Sequence, residues 1–124
     1  MLVRDVMTAN PATVDAAASL DTVVALLHEL DIRHAPVLDE QGHLSGIISD
    51  RDLAPYRDRR LGEFEVRQIM SAEVFTTGPD SQLSDVVDTM LDQKVGALPV
   101  VNASNELVGI VSYIDILRAV RDDV

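Results

Sequence analysis

The sequence contains no cysteine, which excludes disulfide bonds and thiolate metal sites. Its three histidines, His28, His34 and His43, do not show the spacing of metal ligands, which argues against a zinc site. The first residues lack the apolar core of a signal peptide, and no apolar run approaches the length of about 18 residues that a membrane span needs. We therefore expect a soluble, cytoplasmic protein with no membrane partner.

Positive charge is scarce as well. Ten Lys and Arg residues stand against 21 Asp and Glu residues, for a net charge of −11. Binding to nucleic acids and to anionic membranes depends on basic patches that release counterions. The basic cluster Arg57–Arg60 contains Asp58 and is followed by Glu63 and Glu65, so a solvated linker explains it better than a nucleic-acid patch. We expect no nucleic-acid partner.

The chain also offers little from which to build a catalytic site. It has no cysteine nucleophile, no metal-ligand cluster and no Gly-rich phosphate-binding loop. Ser19 has no base near it in sequence and no nucleophile elbow around it. Catalysis is therefore the weakest of the functional hypotheses, and we predict that the protein is not an enzyme.

A repeat of 63 residues organises the chain. Of the 59 ungapped pairs between residues 3–61 and 66–124, 15 are identical and many others exchange one aliphatic residue for another. A fixed-period repeat indicates that each copy is a structural unit that cannot bury its apolar face alone. We predict repeat 1 over residues 1–60 and repeat 2 over residues 61–124, forming one intimate module with a polar linker near 56–65.

Both copies show the same order of secondary structure. An extended segment precedes an amphipathic helix, which Ser19 is suited to cap in copy one. The apolar residues of these helices recur every three or four positions: Leu20, Val23, Val24, Leu27 and Leu30, then Leu83, Val86, Val87, Met90 and Leu91. Two aliphatic strands, a hairpin of about four residues and a second helix follow, and Pro55 should shorten that helix in copy one. The pattern predicts an α/β (α+β) fold of tandem β-α-β-β-α repeats packed with pseudo-twofold symmetry.

The same motif, Gly-x-x-Ser-x-x-Asp, ends the second strand of both copies, at residues 46–52 and 109–115. Ser-x-x-Asp before an apolar run is also a capping box, so Ser and Asp could simply cap the following helix. Glycine inside a strand often marks the close approach of another backbone segment. Such an approach would explain both glycines without any ligand.

The doubled aliphatic-Pro-Val strands and doubled Gly-x-x-Ser-x-x-Asp motifs resemble those of the CBS domain pair, or Bateman module, over essentially the whole chain. The resemblance implies a regulatory module rather than a catalyst. It implies clefts between the repeats that bind an adenosine derivative (AMP, ADP, ATP or S-adenosylmethionine), with no other obligatory cofactor. Ligand binding would then signal to a regulated protein, whose identity the sequence does not reveal, through a conformational change.

Carried over by position, the resemblance implies two sets of ligand-binding residues. The first set is Thr13, Val14, Arg33, His34, Ala35, Pro36, Ser49, Arg51 and Asp52. The second set is Thr76, Thr77, Gly96, Ala97, Leu98, Pro99, Ser112 and Asp115. In the family the Asp holds the ribose hydroxyls and the Ser approaches ribose or phosphate. A carboxylate suits that role, because hydrogen bonds to a charged acceptor are strong.

The two sets differ in charge. The first contains Arg33, His34 and Arg51, whereas the second has uncharged residues at the matching positions. Phosphate binding in a chain of net charge −11 needs local positive charge, so we predict that the first site is the better phosphate site.

A structural or dimerisation module with unoccupied clefts is the main alternative. CBS-like pairs commonly form homodimers through their helical faces. Here Leu27, Leu30, Met90 and Leu91 could supply such a contact, although the core of the monomer could also use them.

Overall fold

The computed structural model describes residues 1–123, which form two compact units. The first unit is Ala12–Val74, and the second unit combines Met1–Pro11 with the chain from Phe75 onward. The units therefore group the chain differently from the sequence copies, because Met1–Pro11 belongs with repeat 2 and residues 61–74 belong with repeat 1. The boundary at residues 60 and 61 stays a prediction about the copies in the sequence.

Helices and short strands alternate along the chain. In order they are α1 (Val3–Val6), β1 (Thr8–Ala9), β2 (Val14–Asp15), α2 (Leu20–Leu30), β3 (His34–Leu38), β4 (Leu44–Ser49), α3 (Asp50–Leu53), α4 (Leu83–Gln93), β5 (Ala97–Val101), β6 (Leu107–Ser112) and α5 (Tyr113–Asp123). Short 3₁₀ helices cover Ala54–Tyr56, Leu61–Glu63 and Val66–Gln68. Two small sheets with helices confirm the predicted α+β fold class. No helix within residues 1–123 has both the length and the apolarity needed to cross a membrane.

The first unit contains a sheet of order β2-β3-β4, in which β2 runs parallel to β3 and β4 antiparallel to it. In its core, the apolar face of α2 packs against the buried residues of the strands and α3 and against Val66, which follows the linker. The fully buried members include Leu20, Val23, Ala35, Val37, Ile48, Leu53 and Val66. The predicted helical face of α2 is confirmed for its first turns, whereas Leu30 at its end is 48% exposed.

The second unit contains a sheet of order β1-β6-β5, with both pairings antiparallel. Its buried core is smaller than that of the first unit and consists of Val3, Val86, Leu98, Val100 and Val111. Val3 lies in the opening residues of the chain, so those residues complete the core of the unit built mainly from repeat 2.

The last helix differs between the copies as predicted. In copy one, α3 is four residues long and continues only as the 3₁₀ turn Ala54–Tyr56, which contains Pro55. Proline lacks an N–H and its ring clashes with the preceding turn, so the α-helix ends there. Copy two has no proline at this position, and α5 runs for 11 residues.

Two local expectations need correction. The hairpin loops contain five residues, 39–43 and 102–106, rather than about four. Ser19 occupies the N-cap position of α2, but its hydroxyl does not cap the helix backbone. The hydroxyl instead donates to the Asp21 carboxylate and lowers the pKa of Asp21, because the bond favours the ionised carboxylate.

Close backbone approach explains the strand glycine of the first unit. A Cβ atom at Gly46 would lie 2.5 Å from Met70 Sδ and 2.8 Å from the carbonyl oxygen of Ser71. Separations below 3 Å leave no room for a side chain, so the close-approach interpretation is confirmed at this position.

The strand glycine of the second unit has the same explanation. A Cβ atom at Gly109 would lie 2.7 Å from Met7 Sδ and 3.0 Å from the carbonyl oxygen of Thr8. In both units the neighbouring segment, residues 7–8 or 70–71, comes from the start of the other sequence copy.

Candidate functional site

Part of the first set of predicted residues meets at one end of the first unit's sheet. His34 begins β3 and lies opposite Ser49, the last residue of β4. The backbone N–H of Asp50 donates to the carbonyl of Arg33 at 2.9 Å, which ties the start of α3 to the residue before β3. The antiparallel register therefore places His34 beside the motif Ser49-x-x-Asp52.

Ser49 and Asp52 form a reciprocal capping box. The N–H of Ser49 donates to Asp52 Oδ2 at 2.9 Å, and the N–H of Asp52 donates to Ser49 Oγ at 3.2 Å. The capping interpretation of this motif is therefore confirmed. The same bonds hold the half-buried Asp52 carboxylate at the end of the sheet, where it could also accept ligand hydroxyls.

The second unit repeats this arrangement. The N–H of Ser112 donates to Asp115 Oδ2 at 2.8 Å, and the Ser112 hydroxyl donates to the same oxygen at 3.1 Å. The N–H of Asp115 lies 3.3 Å from Ser112 Oγ. Ala97, which is paired with Ser112 across the sheet, takes the position that His34 holds in the first unit.

His34 is the titratable group most affected by this environment. Burial lowers the pKa of His34 below its ordinary value of 6.5, because the charged imidazolium loses hydration. The Asp52 carboxylate raises that pKa and the Arg51 guanidinium lowers it, but burial has the larger effect. The first site therefore presents a neutral imidazole near neutral pH, next to a carboxylate.

The predicted arginines do not share one environment. Arg33 and Arg51 are both exposed, and Arg33 Nη1 lies 3.8 Å from Asp50 Oδ2. Arg57 pairs with the other oxygen of Asp50, so one carboxylate partly compensates two guanidinium groups. His28, Arg33, Asp50 and Arg57 border a cavity of about 270 Å³ between the end of α2 and the start of α3.

Sequence reasoning missed Asp50 and Arg57. Arg57 follows Asp50 by seven residues, which is two helical turns, and that spacing was the available signal. The spacing did not indicate an ion pair, because Pro55 predicts that the helix ends before Arg57. The 3₁₀ turn nevertheless brings Arg57 back over Asp50.

The predicted leading-strand residues of the first unit lie away from the motif. Val14 is buried in β2 and pairs with Val37, three positions along β3 from His34 and thus about 10 Å away. Thr13 precedes β2 and is exposed, while Ala35 and Pro36 are buried within β3. The first set is therefore gathered in one unit but not around one point.

The second set is divided in a similar way. Thr77 bridges to Val100, three positions along β5 from Ala97, whereas Ser112 and Asp115 lie at the Ala97 end. A cavity of about 750 Å³ at the opposite, hairpin end is lined in part by Thr76, Thr77 and Leu98. Pro99 is buried in β5, and Gly96 accepts a backbone hydrogen bond from Tyr113 at 2.9 Å.

Within residues 1–123, no group of three or more His, Asp or Glu side chains is arranged to hold a metal ion. The chemistry available at the two motifs is therefore that of carboxylates, hydroxyls and backbone N–H groups, with cationic side chains added only in the first unit.

Comparison with known proteins gives a consistent result. The family model for the CBS domain matches residues 3–58 and 66–122. A CBS domain-containing protein of Bacillus subtilis, YhcV, is 34% identical over 116 residues, which cover 92% of this chain and 81% of that protein. A homoserine O-acetyltransferase of Methanococcoides burtonii is 35% identical over 118 residues, 95% of this chain but 24% of the enzyme. The chain thus spans about a quarter of that enzyme's length.

Two solved structures with the same fold are complexes with adenosine-containing ligands. The CBS domain pair of protein MJ0100, in complex with 5′-methylthioadenosine and S-adenosyl-L-methionine, has a TM-score of 0.91 at 29% identity, covering 100% of this chain and 98% of that one. The structure of CBSX2 in complex with AMP has a TM-score of 0.83 at 28% identity, covering 98% and 96%.

Proposed function

The chain belongs to the CBS domain family, and from that premise we propose that it is a regulatory module that senses an adenosine-containing ligand. The observation that carries the proposal is the duplicated carboxylate: Asp52 and Asp115 are each held by a capping box at the end of a sheet. The relatives whose structures contain AMP, or S-adenosylmethionine with 5′-methylthioadenosine, support the class of ligand.

Recognition would use the two oxygens of each carboxylate. The capping bonds engage Oδ2 of Asp52 and of Asp115, and vicinal ribose hydroxyls would donate to the same groups. The apolar strand ends would receive the base, while backbone groups read its edge. The cap and the ligand role are compatible, because the hydroxyl and carboxylate can reorient around a bound ribose.

The first site is proposed to prefer a ligand that carries phosphate. Arg33 and Arg51 lie at or next to its motif, whereas the second site has the uncharged Gly96 and Ile114 at the matching positions. AMP, ADP and ATP would therefore bind better to the first site than to the second. A ligand without phosphate, such as 5′-methylthioadenosine, would not distinguish the sites on this basis.

Sensing requires that the ligand favour one arrangement of the protein over another. A ligand with equal affinity for both arrangements shifts nothing, however tightly it binds. The module itself would carry out no reaction, and a regulated protein would read the change. The activity of the acetyltransferase relative is not transferred, because the chain matches only 24% of that enzyme. A cytoplasmic location is proposed as well, supported by the cysteine-free sequence.

Thermal melts with AMP, ATP, S-adenosylmethionine and 5′-methylthioadenosine test the proposal. At a concentration of about 100 times Kd, a ligand that occupies one site should stabilise the fold by about 2.7 kcal/mol. We expect Asp52→Asn to abolish most of the stabilisation by AMP, and Asp115→Asn to reduce it less. Asp88→Asn, which makes the same change at an exposed position on α4, is the matched control. The proposal fails if no ligand shifts the midpoint, or if Asp52→Asn binds AMP as the wild type does.

We propose homodimerisation as a second function, because one helix exposes an apolar stripe. Tyr113, Leu117 and Val120 lie on one face of α5 and are 44%, 58% and 54% exposed. Stripes of this kind commonly mark interaction surfaces. Of the four residues predicted from the sequence, Leu27 and Met90 pack in the cores, whereas Leu30 and Leu91 are 48% and 71% exposed on two different helices. The three exposed residues on one face of α5 make it the better candidate surface.

Light scattering over a range of protein concentrations tests this second function. We expect the wild type to associate, and the double variant Tyr113→Asp/Val120→Arg to shift toward the monomer. These substitutions place the residues of copy one, Asp50 and Arg57, at the matching positions of copy two. A wild type that stays monomeric at high concentration, or a variant that still associates fully, would overturn dimerisation through α5.

A further inference from the structure

Two opening segments, residues 1–10 and residues 66–72, occupy equivalent places in the two units. Residues 1–10 start repeat 1 but pack in the unit that contains the motif of repeat 2. Residues 66–72 start repeat 2 but pack in the unit that contains the motif of repeat 1. Each opening segment therefore lies beside the motif of the other sequence copy.

In the second unit, the opening segment is hydrogen-bonded to the strand that ends in the motif. Thr8 is paired with Ile110 and Ala9 with Gly109, and the N–H of Asn10 donates to the carbonyl of Val108 at 3.2 Å. These contacts begin two residues before Ser112.

The first unit has the same contact in shorter form. The N–H groups of Ile47 and Ser71 each donate to the carbonyl of the other residue at 3.0 Å. Met70 covers Gly46, and the contact begins two residues before Ser49.

The glycines make each contact a direct one. Gly109 has no side chain to hold the opening segment away from the strand. A Cβ at this position would lie within 3.0 Å of both Met7 Sδ and the Thr8 carbonyl oxygen. A displacement of the strand end must therefore move the segment or break its hydrogen bonds. Packed elements with direct contacts are the means by which a local change can be passed on.

We propose that a change in the hydrogen bonding of each Ser-x-x-Asp motif is transmitted to the opening segment that packs beside it. Because that segment belongs to the other sequence copy, we call the coupling crosswise. The state of Ser112 and Asp115 is passed to residues 1–10, and the state of Ser49 and Asp52 is passed to residues 66–72. The ligand in this scheme rests on the proposed function. The mechanical coupling does not rest on the proposed function, because a substitution in the capping box alters the motif when no ligand is present.

Hydrogen exchange on the full chain without ligand tests the coupling. Asp115→Asn weakens the capping box of the second unit, and we expect exchange within residues 8–10 to rise about fivefold, as the loss of one helix cap predicts for a local opening. Exchange at Ser71 should change less than about twofold, because its unit is untouched. Asp52→Asn should give the reverse pattern, so each variant is the matched control of the other.

A second pair of variants alters the other half of each capping box. Ser112→Ala and Ser49→Ala remove the hydroxyl that accepts the Asp N–H hydrogen bond and should give the same crosswise pattern. The coupling is overturned if either pair raises exchange uniformly, raises it only in the segment of the same sequence copy, or leaves both segments unchanged in folded protein.

Addition of AMP to the wild type separates the two proposals. A slower exchange confined to the opening segments would support both. If neither AMP nor any of the other three ligands binds but the variants show the crosswise pattern, the proposed function fails and the coupling stands. If AMP stabilises the protein but the variants show no crosswise pattern, the coupling fails and the proposed function stands.

Discussion

The first and second units have the same backbone devices at positions 63 residues apart. Helices α2 and α4 both end on a left-handed residue, Asp31 with φ 52° and Lys94 with φ 56°. The two hairpins turn on Gly42 with φ 80° and Asn105 with φ 61°. Such conformations favour Gly and Asn and cost other residues strain energy. The repeat has thus kept its turns while most of its side chains diverged.

The units differ on the outer side of the last helix. The first unit has Asp50 and Arg57 there, and they form an ion pair beside a small cavity. The second unit has Tyr113 and Val120 at those positions, on an exposed apolar stripe. The same backbone arrangement therefore carries charged side chains in the first unit and exposed apolar side chains in the second. The two copies have thus kept the same caps but have acquired different surfaces.

The largest effect should come from the matched core leucines. Leu20 in α2 is fully buried, whereas its counterpart Leu83 in α4 is only partly buried. We expect Leu20→Ala to cost about 3 kcal/mol of unfolding free energy and Leu83→Ala about half of that, because less surface and a smaller cavity are involved. Urea denaturation measures both. Equal losses would show that the second unit is packed as tightly as the first.

Substitution of the strand glycines should cause the next largest loss of unfolding free energy. We expect Gly46→Ala and Gly109→Ala to cost about 2 kcal/mol each through overpacking, with Gly46 the more sensitive because its space is tighter. The control is Gly62→Ala, where the added Cβ would lie 3.5 Å from its nearest neighbour, an ordinary contact. Thermal and urea unfolding of the three variants measures the difference. If all three behave alike, the opening segments are not held as closely as described.

The smallest effect should be the pH dependence due to His34. The folded pKa of His34 is lowered by burial, so the unfolded state binds more protons once the pH falls below about 6.5. The wild type should therefore lose stability as the pH falls from 6.5 through the folded pKa, and be unaffected by this group above 6.5. His34→Ala, which introduces the residue of copy two, should remove that component, whereas His43→Ala, at an exposed position, should retain it. Unfolding from pH 5 to 8 measures the slope, and identical slopes for all three proteins would contradict the assignment.

Elements set by local chemistry were predictable. The apolar periodicity predicted α2 and α4, Pro55 predicted the short α3, and Ser-x-x-Asp predicted the caps of α3 and α5. Each depends on residues no more than one or two turns apart. The hydroxyl of Ser19 departs from its expected role because Asp21, two residues away, offers a charged acceptor.

The arrangement within the candidate site was only partly predictable. The antiparallel register that brings His34 to Ser49 follows from a short hairpin between two recognisable strands. The pairing of Val14 with Val37, three positions along β3 from His34, and the ion pair of Arg33 with Asp50 do not follow from it. They depend on which edge of β3 pairs with β2 and on which carboxylate lies close to the Arg33 guanidinium.

The repeat, the caps, the turns and the difference in charge between the two motifs can be read from the sequence, because each involves neighbouring residues or positions 63 apart. The segment that completes each sheet cannot be read in this way, because it depends on how the chain packs. Residues 1–11 join the chain from Phe75 onward, because Val3 enters that unit's core and Met7 fits over Gly109. Such pairings link residues about a hundred positions apart, and only the packing of the folded chain selects them.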